Sequence, residues 1–397
     1  MANKILLIGV DGGATEIRAH AVACDDLSAP TSFHLQEHTA AQLYTRVADF
    51  EPVPVADQFA QRSAGKLDIS EAERKQAGAW VSAAAAVVNG VARQSGATCV
   101  LVGVGMPGLK TSDQRGIAVI NNGPRIPEYL AEMEQRLADD GLALAAPIAA
   151  LGSDADYCGL GEQHAAEGLF RDVENAYYVG GGTGVADALK LAGRLVPFDG
   201  AKSWIQKSWQ IASSIGPTFE KLISAKSFND VYQSVTCGGH AGVQPNSAAP
   251  SQFPERAAAA GDPIARAWTQ TVALVLAELI FERVWTVANG RPQNASRGAG
   301  YLALDADHPF RGTVFDRVIV GQRLGCIYAD HDCHDVFGRW VDEYLAALIM
   351  QSEDSVLRRQ LLVNTELRPG FLVSSRLRAA PALGAAVAAA RAFSCAQ

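Results

Sequence analysis

The chain is poor in the features that build disulfide frameworks, metal clusters and membrane spans. Its seven cysteines (Cys24, Cys99, Cys158, Cys237, Cys326, Cys333 and Cys395) are scattered, odd in number and without a Cys-x-x-Cys pair. That usage excludes a disulfide framework and an iron–sulfur site, and it fits a reducing compartment, the cytoplasm. Positive charge is in deficit: 34 Lys and Arg against 42 Asp and Glu leave a net charge of −8. A broad nucleic-acid or membrane-surface partner is therefore not expected. The longest apolar helical stretch, 272–288, is interrupted by Glu278, Glu282 and Arg283, which makes it a core helix rather than a membrane span. The start of the chain has no basic stretch followed by an apolar run and a small-residue cleavage site, so a secretory leader is not expected.

What is present is a composition of 48% apolar and 19% charged residues over 397 positions, enough for two or three globular domains. Residues 4–15, KILLIGVDGGAT, run from an apolar strand into an Asp-Gly-Gly-x-Thr turn, and 17–22 alternate like a returning strand. Glycines at such a turn let backbone N–H groups approach phosphate oxygens, Thr15 adds a hydroxyl donor, and Asp11 can hold a magnesium ion. An ordinary Asp-Gly hairpin is the competing reading. The theme returns at Gly180-Gly-Gly-Thr-Gly184, between strands expected at 176–179 and 185–191. Two glycine hairpins on two lobes can clamp one triphosphate tail.

Alternating strands and helices fill the rest. Residues 25–68 read as irregular, an insertion or a substrate-side loop. Helices are expected at 71–94 with Ser70 and Glu73 at its start, at 127–139, from 156, at 214–226, at 263–288, at 335–350 and at 376–392. Strands are expected at 98–105, 148–151 and 316–320. The pattern implies mixed sheets with helices on both faces. Two short runs of soft ligands, His331-Asp-Cys333-His334 and Cys237-Gly-Gly-His240, are read as polar loops or helix starts ahead of metal sites.

Five segments, in order, resemble the ROK family of sugar kinases, within the actin, hexokinase and Hsp70-like ATPase superfamily. Residues 9–15 resemble its first phosphate motif. Residues 103–108 (GVGMPG), with Gly116 and Asn121-Asn122, resemble its "GxGxPG … N" strand and substrate loop. Ser153-Asp-Ala-Asp156 with Leu160-Gly-Glu162 resembles "NDANxxxLGE", and 182–195 resembles the second phosphate hairpin. Residues 379–386 resemble the small-residue closing helix. The resemblance implies a two-lobe, ribonuclease-H-like α/β fold with nucleotide in the cleft between lobes. It also implies an N-terminal lobe of 1–150 joined by the closing helix 375–397, a C-terminal lobe of 151–374, ATP and Mg2+ as cofactors, and a homodimer.

The roles follow residue by residue. Asp154 is the expected general base, accepting the proton of a substrate hydroxyl as it attacks the γ-phosphate; a helix N-cap is the alternative. Asp11 is the expected magnesium residue. Gly12, Gly13 and Thr15 from one lobe, and Gly182, Thr183 and Gly184 from the other, are expected at the phosphates, with Gly321 and Gly325 near adenine. Gly105, Gly108, Asn122, Ser153 and Lys202 are expected at the substrate, with Asn122 also readable as a turn residue. Arg18 reads as an exposed strand residue before a phosphate ligand.

The departures are as informative. The family's Glu-x-Gly-His sugar contacts are missing from 200–209, where Lys202, Trp204, Lys207 and Trp209 stand instead, and no cysteine-rich zinc motif follows. Ala186, Asp187 and Ala188 replace the usual glycines of the second hairpin. The expected substrate is thus a sugar-like polyol, including carbocyclic sugars, ahead of glucose. A repressor of this family carries a helix-turn-helix before the first phosphate strand, whereas here only Met1 to Lys4 precede it. A catalytically silent sugar-binding or sensor protein of the same fold is the alternative to a kinase.

Overall fold

The computed structural model describes residues 5–201, 204–236, 253–291 and 304–397. The chain divides into two compact units, Met1–Arg171 with Ala379–Gln397, and Asp172–Arg378. The segment 151–171, including Asp154, therefore belongs to the first unit.

The first unit runs β1 (Leu6–Gly12), β2 (Glu16–Cys24), β3 (Phe33–Leu43), α1 (Val55–Ser63), α2 (Glu71–Ser95), β4 (Cys99–Gly105), β5 (Leu109–Lys110), β6 (Ile117–Val119), α3 (Tyr129–Asp139), β7 (Ala143–Leu144), β8 (Leu151–Gly152) and α4 (Asp154–His164). Its sheet has the order β3-β2-β1-β4-β7, with β8 also paired to β4. β1, β2 and β3 are antiparallel, while β4 lies parallel to β1. The second unit runs β9 (Ala176–Gly181), β10 (Val185–Leu191), β11 (Arg194–Val196), α5 (Phe198–Ala201), α6 (Glu220–Ile223), α7 (Ala225–Thr236), α8 (Pro254–Ala259), α9 (Pro263–Asn289), β12 (Arg317–Gly321), α10 (Gln322–Ala329), a 3-10 turn (His331–Val336), α11 (Gly338–Gln351), α12 (Ser355–Leu361), β13 (Leu362–Val363), β14 (Glu366–Leu367) and β15 (Leu372–Ser374). Its sheet order is β11-β10-β9-β12-β15, again three antiparallel strands followed by parallel ones. The echo between the two glycine hairpins is thus part of a shared strand order.

α13 (Ala380–Ala396) returns the chain to the first unit. Its backbone approaches the sheet where Gly9 and Gly103 stand opposite each other in β1 and β4. A Cβ on Gly9 would lie 1.8 Å from the Ala382 carbonyl oxygen, and one on Gly103 1.9 Å from that of Ala385. Only glycine permits this approach, which is why the closing helix is built of small residues.

The cores match the periodicity of the sequence. α2 starts at Ser70, whose side chain accepts the Glu73 N–H, and ends at Gly96 in the left-handed region (φ 69°). α9 starts at Asp262, accepting the Ala265 N–H, and ends at Gly290 (φ 68°). From Val272 onward α9 is buried nearly all round, Glu282 and Arg283 included, as a mainly apolar core helix is expected to be. Among the described residues no helix is long and apolar enough to cross a membrane.

Several expectations are corrected. Residues 25–68 are not irregular throughout but hold the 11-residue β3 and the helix α1. β3 is mostly exposed on the sheet edge, so it lacks the apolar alternation that marks a strand. The helix expected over 214–226 starts only at Glu220, breaks at Ser224 and resumes in α7. The strand expected over 148–151 is reduced to Leu151–Gly152.

Candidate functional site

In the first unit, β1 and β4 lie parallel with Asp11 opposite Gly105, and β8 places Gly152 beside Gly105 in turn. The carboxyl ends of parallel strands are where open α/β sheets bind ligands. The sequence after β8 delivers Ser153 as the N-cap of α4 and Asp154 as its first residue. Ser153 makes no side-chain capping bond, and Asp154 Oδ1 accepts the N–H of Ala155 at 3.0 Å. Asp154 is therefore not the helix cap, and its carboxylate stands at the strand ends near Asp11.

The Asp11 carboxyl is pushed up from 3.8 to about 7, first by burial and then by the negative charge of Asp154. Arg18 pulls the other way, and Glu16 adds to the rise. Arg18 is exposed and paired with Glu16 at 2.8 Å, as expected of a strand residue. Asp11 accepts no hydrogen bond from a described residue. The charge conflict at Asp11 exceeds what Arg18 offsets, and a cation or a proton would relieve it.

The turn that follows is tight: the Gly13 N–H donates to the Glu16 carbonyl at 2.8 Å, and Thr15 is exposed. A Cβ on Gly12 would lie 2.0 Å from Met106 Sδ, so Gly12 makes room for the 105–108 loop. Gly105 faces the Tyr157 ring, 2.9 Å from where its Cβ would be. Gly108 turns the loop with φ 89°. Lys110 Nζ donates to the carbonyls of Met106 (2.6 Å) and Gly108 (2.8 Å). Asn122 is exposed on the loop after β6. Tyr44 was not singled out by sequence. Its ring stacks on Trp80 at 4.2 Å, and its phenol is raised by burial, then by Tyr129 and Asp11.

In the second unit the 182–184 turn is closed by the Gly182 N–H donating to the Gly184 carbonyl at 2.9 Å, and Thr183 is exposed. Glu220 Oε2 accepts the Val185 N–H at 3.1 Å. The replaced glycines have a structural reason. Asp187 is buried, accepting from the Tyr177 hydroxyl, from Arg283 Nη2 at 3.3 Å and from the Ser208 N–H at 3.3 Å. Gly321 ends β12 and precedes α10; a Cβ there would lie 2.2 Å from the Tyr178 hydroxyl. Gly325 allows a similar approach to the Val320 carbonyl.

Of the divergent segment, Trp204 is core, with its ring 5.9 Å from His308 and 6.3 Å from Phe310. Lys207 lies 5.7 Å from the Phe198 ring centre, and Trp209 is 53% exposed. Lys202, Cys237 and His240 lie outside the described residues. His331 is fully exposed while Cys333 is buried, so the two do not converge on an ion. Among the described residues no cluster of three metal-ligating side chains occurs.

No family model and no curated protein matches the sequence. Solved structures do match along nearly its whole length. A ROK family glucokinase from Streptomyces griseus, in complex with glucose and AMPPNP, is 17% identical; 98% of this chain and 99% of that one are covered, with a TM-score of 0.52. An inorganic polyphosphate/ATP-glucomannokinase from Arthrobacter sp. strain KM is 15% identical, over 98% and 100%, with a TM-score of 0.51. A ROK hexokinase from Thermus thermophilus is 16% identical, over 98% of each chain, with a TM-score of 0.50. At such identities the likeness is one of fold, and the fold of this chain is that of the ROK family sugar kinases.

Proposed function

We propose that the chain is an ATP-dependent kinase that transfers the γ-phosphate to a hydroxyl of a sugar or sugar-like polyol, carbocyclic sugars included. The observation that carries this reading is the pair of carboxyl groups, Asp11 and Asp154, at the ends of β1 and β8, the two parallel strands that flank β4, beside a glycine turn. The resemblance of fold to a glucokinase that binds glucose and AMPPNP supports it.

Asp154 is the general base. Its carboxylate takes the proton of the acceptor hydroxyl as that oxygen forms its bond to the γ-phosphorus and the bond to the leaving ADP oxygen breaks. Ser153 and Asn122 present hydrogen-bonding groups to the acceptor, with Gly105 and Gly108 shaping the loop between them. The backbone of Gly12 and Gly13 with Thr15, and of Gly182 and Gly184 with Thr183, serves the phosphates, and Gly321 borders the adenine. Magnesium fits the donor set: Asp11 is a hard oxygen ligand whose ionised form burial and Asp154 disfavour and a divalent cation favours. Bound by Asp11, the ion supplies charge neutralisation at the phosphates.

The test is ADP release with Mg-ATP across hexoses, aminosugars, sugar acids and cyclitols, with Asp154→Asn beside the wild type. Stimulation by one compound, lost in the variant, is the expected result and names the acceptor. Turnover that survives the substitution would show that another group is the base. Binding of a sugar without turnover favours a silent sugar-binding protein, the reading that the non-glycine 186–188 segment keeps open.

A further inference from the structure

The stretch between β3 and α2 is tied to the loop that carries Asn122. Gln58, in α1, is fully buried. Its Nε2 donates to the Ile120 carbonyl (2.8 Å), and its Oε1 accepts the Ile120 N–H (2.8 Å), the two bonds a neighbouring strand would make. Nε2 also donates to the Val53 carbonyl at 2.6 Å. On the other flank, Arg125 is buried with Glu73 of α2. The Arg125 N–H and Nε donate to Glu73 Oε1 (2.9 and 2.8 Å), and Nη2 donates to Oε2 (2.7 Å). Nη2 also reaches the Asp68 carbonyl (2.7 Å), and Nη1 donates to Gln61 Oε1, which accepts the Asp68 N–H as well.

Between these two anchors lie Asn121, Asn122, Gly123 and Pro124. Gly123 is pressed on Trp80, 2.4 Å from where its Cβ would stand, while Asn121 and Asn122 are exposed and make no hydrogen bond with a described residue. Neither anchor is needed to close a sheet. Both spend buried polar groups, which are costly unless fully paired, on the ends of one short loop. Holding a loop in advance removes the ordering cost that a ligand would otherwise meet.

We propose that Gln58, Gln61 and Arg125 are positioning residues that hold the 121–124 loop so that Asn122 meets the acceptor polyol, and that the 53–69 segment thereby sets acceptor affinity. The inference rests on the kinase reading above. Two measurements on the full chain test it: hydrogen exchange of the peptide spanning 119–126, and KM for ATP and for the compound that stimulates ADP release. Gln58→Met removes the Ile120 bonds and keeps the bulk. Its expected result is faster exchange in that peptide with β1 and β4 unchanged, and an acceptor KM raised about tenfold, with kcat and the ATP KM within about twofold. Gln61→Met moves the same quantities less, and Gln61→Glu, which keeps the acceptor for Arg125, restores them. Should Gln58→Met not fold, the partly exposed Gln61 carries the test.

Unchanged exchange in both Met variants overturns the clamp. Faster exchange with an unmoved acceptor KM in an active enzyme overturns the positioning role and leaves the kinase reading intact. A wild type that turns over no compound sinks the kinase reading and the positioning role with it, while exchange still decides whether the clamp exists.

Discussion

Both units arrange their strands in the same order and place a carboxylate in the glycine hairpin, yet they use it in opposite ways. In the first unit Asp11 stands at the end of β1 beside Asp154, without a hydrogen-bond donor among the described residues, and its carboxyl is pushed up to about 7. In the second unit Asp187 sits within β10 and is covered by Tyr177, the Ser208 N–H and Arg283. The Arg283 guanidinium lies 5.6 Å from the Phe198 ring centre and 5.8 Å from that of Tyr177, and Asp187 holds it charged. A carboxylate whose charge is fully answered by its own fold is part of the core. One left under strain beside a second carboxylate is available to a cation or a proton.

The comparison breaks most easily in the second unit. Arg283→Met leaves Asp187 buried without its cation and is expected to cost about 3–5 kcal/mol in denaturant unfolding. Replacing Asp187 and Arg283 together by apolar residues should cost much less. A single variant as stable as the wild type would mean that Asp187 is not structural.

Next in size is Asp154→Asn in the first unit. It should lower acceptor-dependent ADP release by about a hundredfold or more, with thermal stability nearly unchanged.

Asp11→Asn sharpens the contrast through pH. Because the folded carboxyl titrates near 7 and an ordinary one near 3.8, the folded chain keeps a proton that the unfolded chain has released. Wild-type stability therefore declines as pH rises from about 4 to about 7 and stays lower above it. The asparagine variant lacks this decline, so its Tm relative to wild type should be higher at pH 8 than at pH 4. A pH-independent Tm difference would remove the charge conflict from the account. Mg2+ should raise the wild-type Tm at pH 8 and leave that of the variant unmoved.

The smallest effect probes what the units share. Ser70→Ala in α2 and Asp262→Ala in α9 each remove a side-chain cap from a long helix, and each should cost about 1 kcal/mol. Unequal losses would show that the caps are not equivalent.

Much of this was legible in the residues. Both hairpins, α2 with its Ser70 cap, β4, β10 and α9 follow from local patterns of glycine, capping and apolar spacing. Asp154 could be singled out through the resemblance of 153–162 to the family's motif; its local position alone reads equally as a helix cap. Tyr44, Gln58, Gln61 and Arg125 gave no signal, since their partners lie far away in the chain: Arg125 meets Glu73, and Gln58 meets Ile120. The expectation of one helix over 214–226 failed: the helix starts only at Glu220 and breaks at Ser224.

By itself, then, the sequence determined where the chain turns on glycine, which segments are strands or capped helices, and which carboxylates stand at strand ends, because these depend on neighbours within a few positions. Only the tertiary structure decided that Asp187 is neutralised and Asp11 is not, and that the 53–69 segment grips the Asn122 loop. Charge balance and buried hydrogen bonding depend on which distant residues the fold brings within about 3 Å of each other, and no local pattern records that.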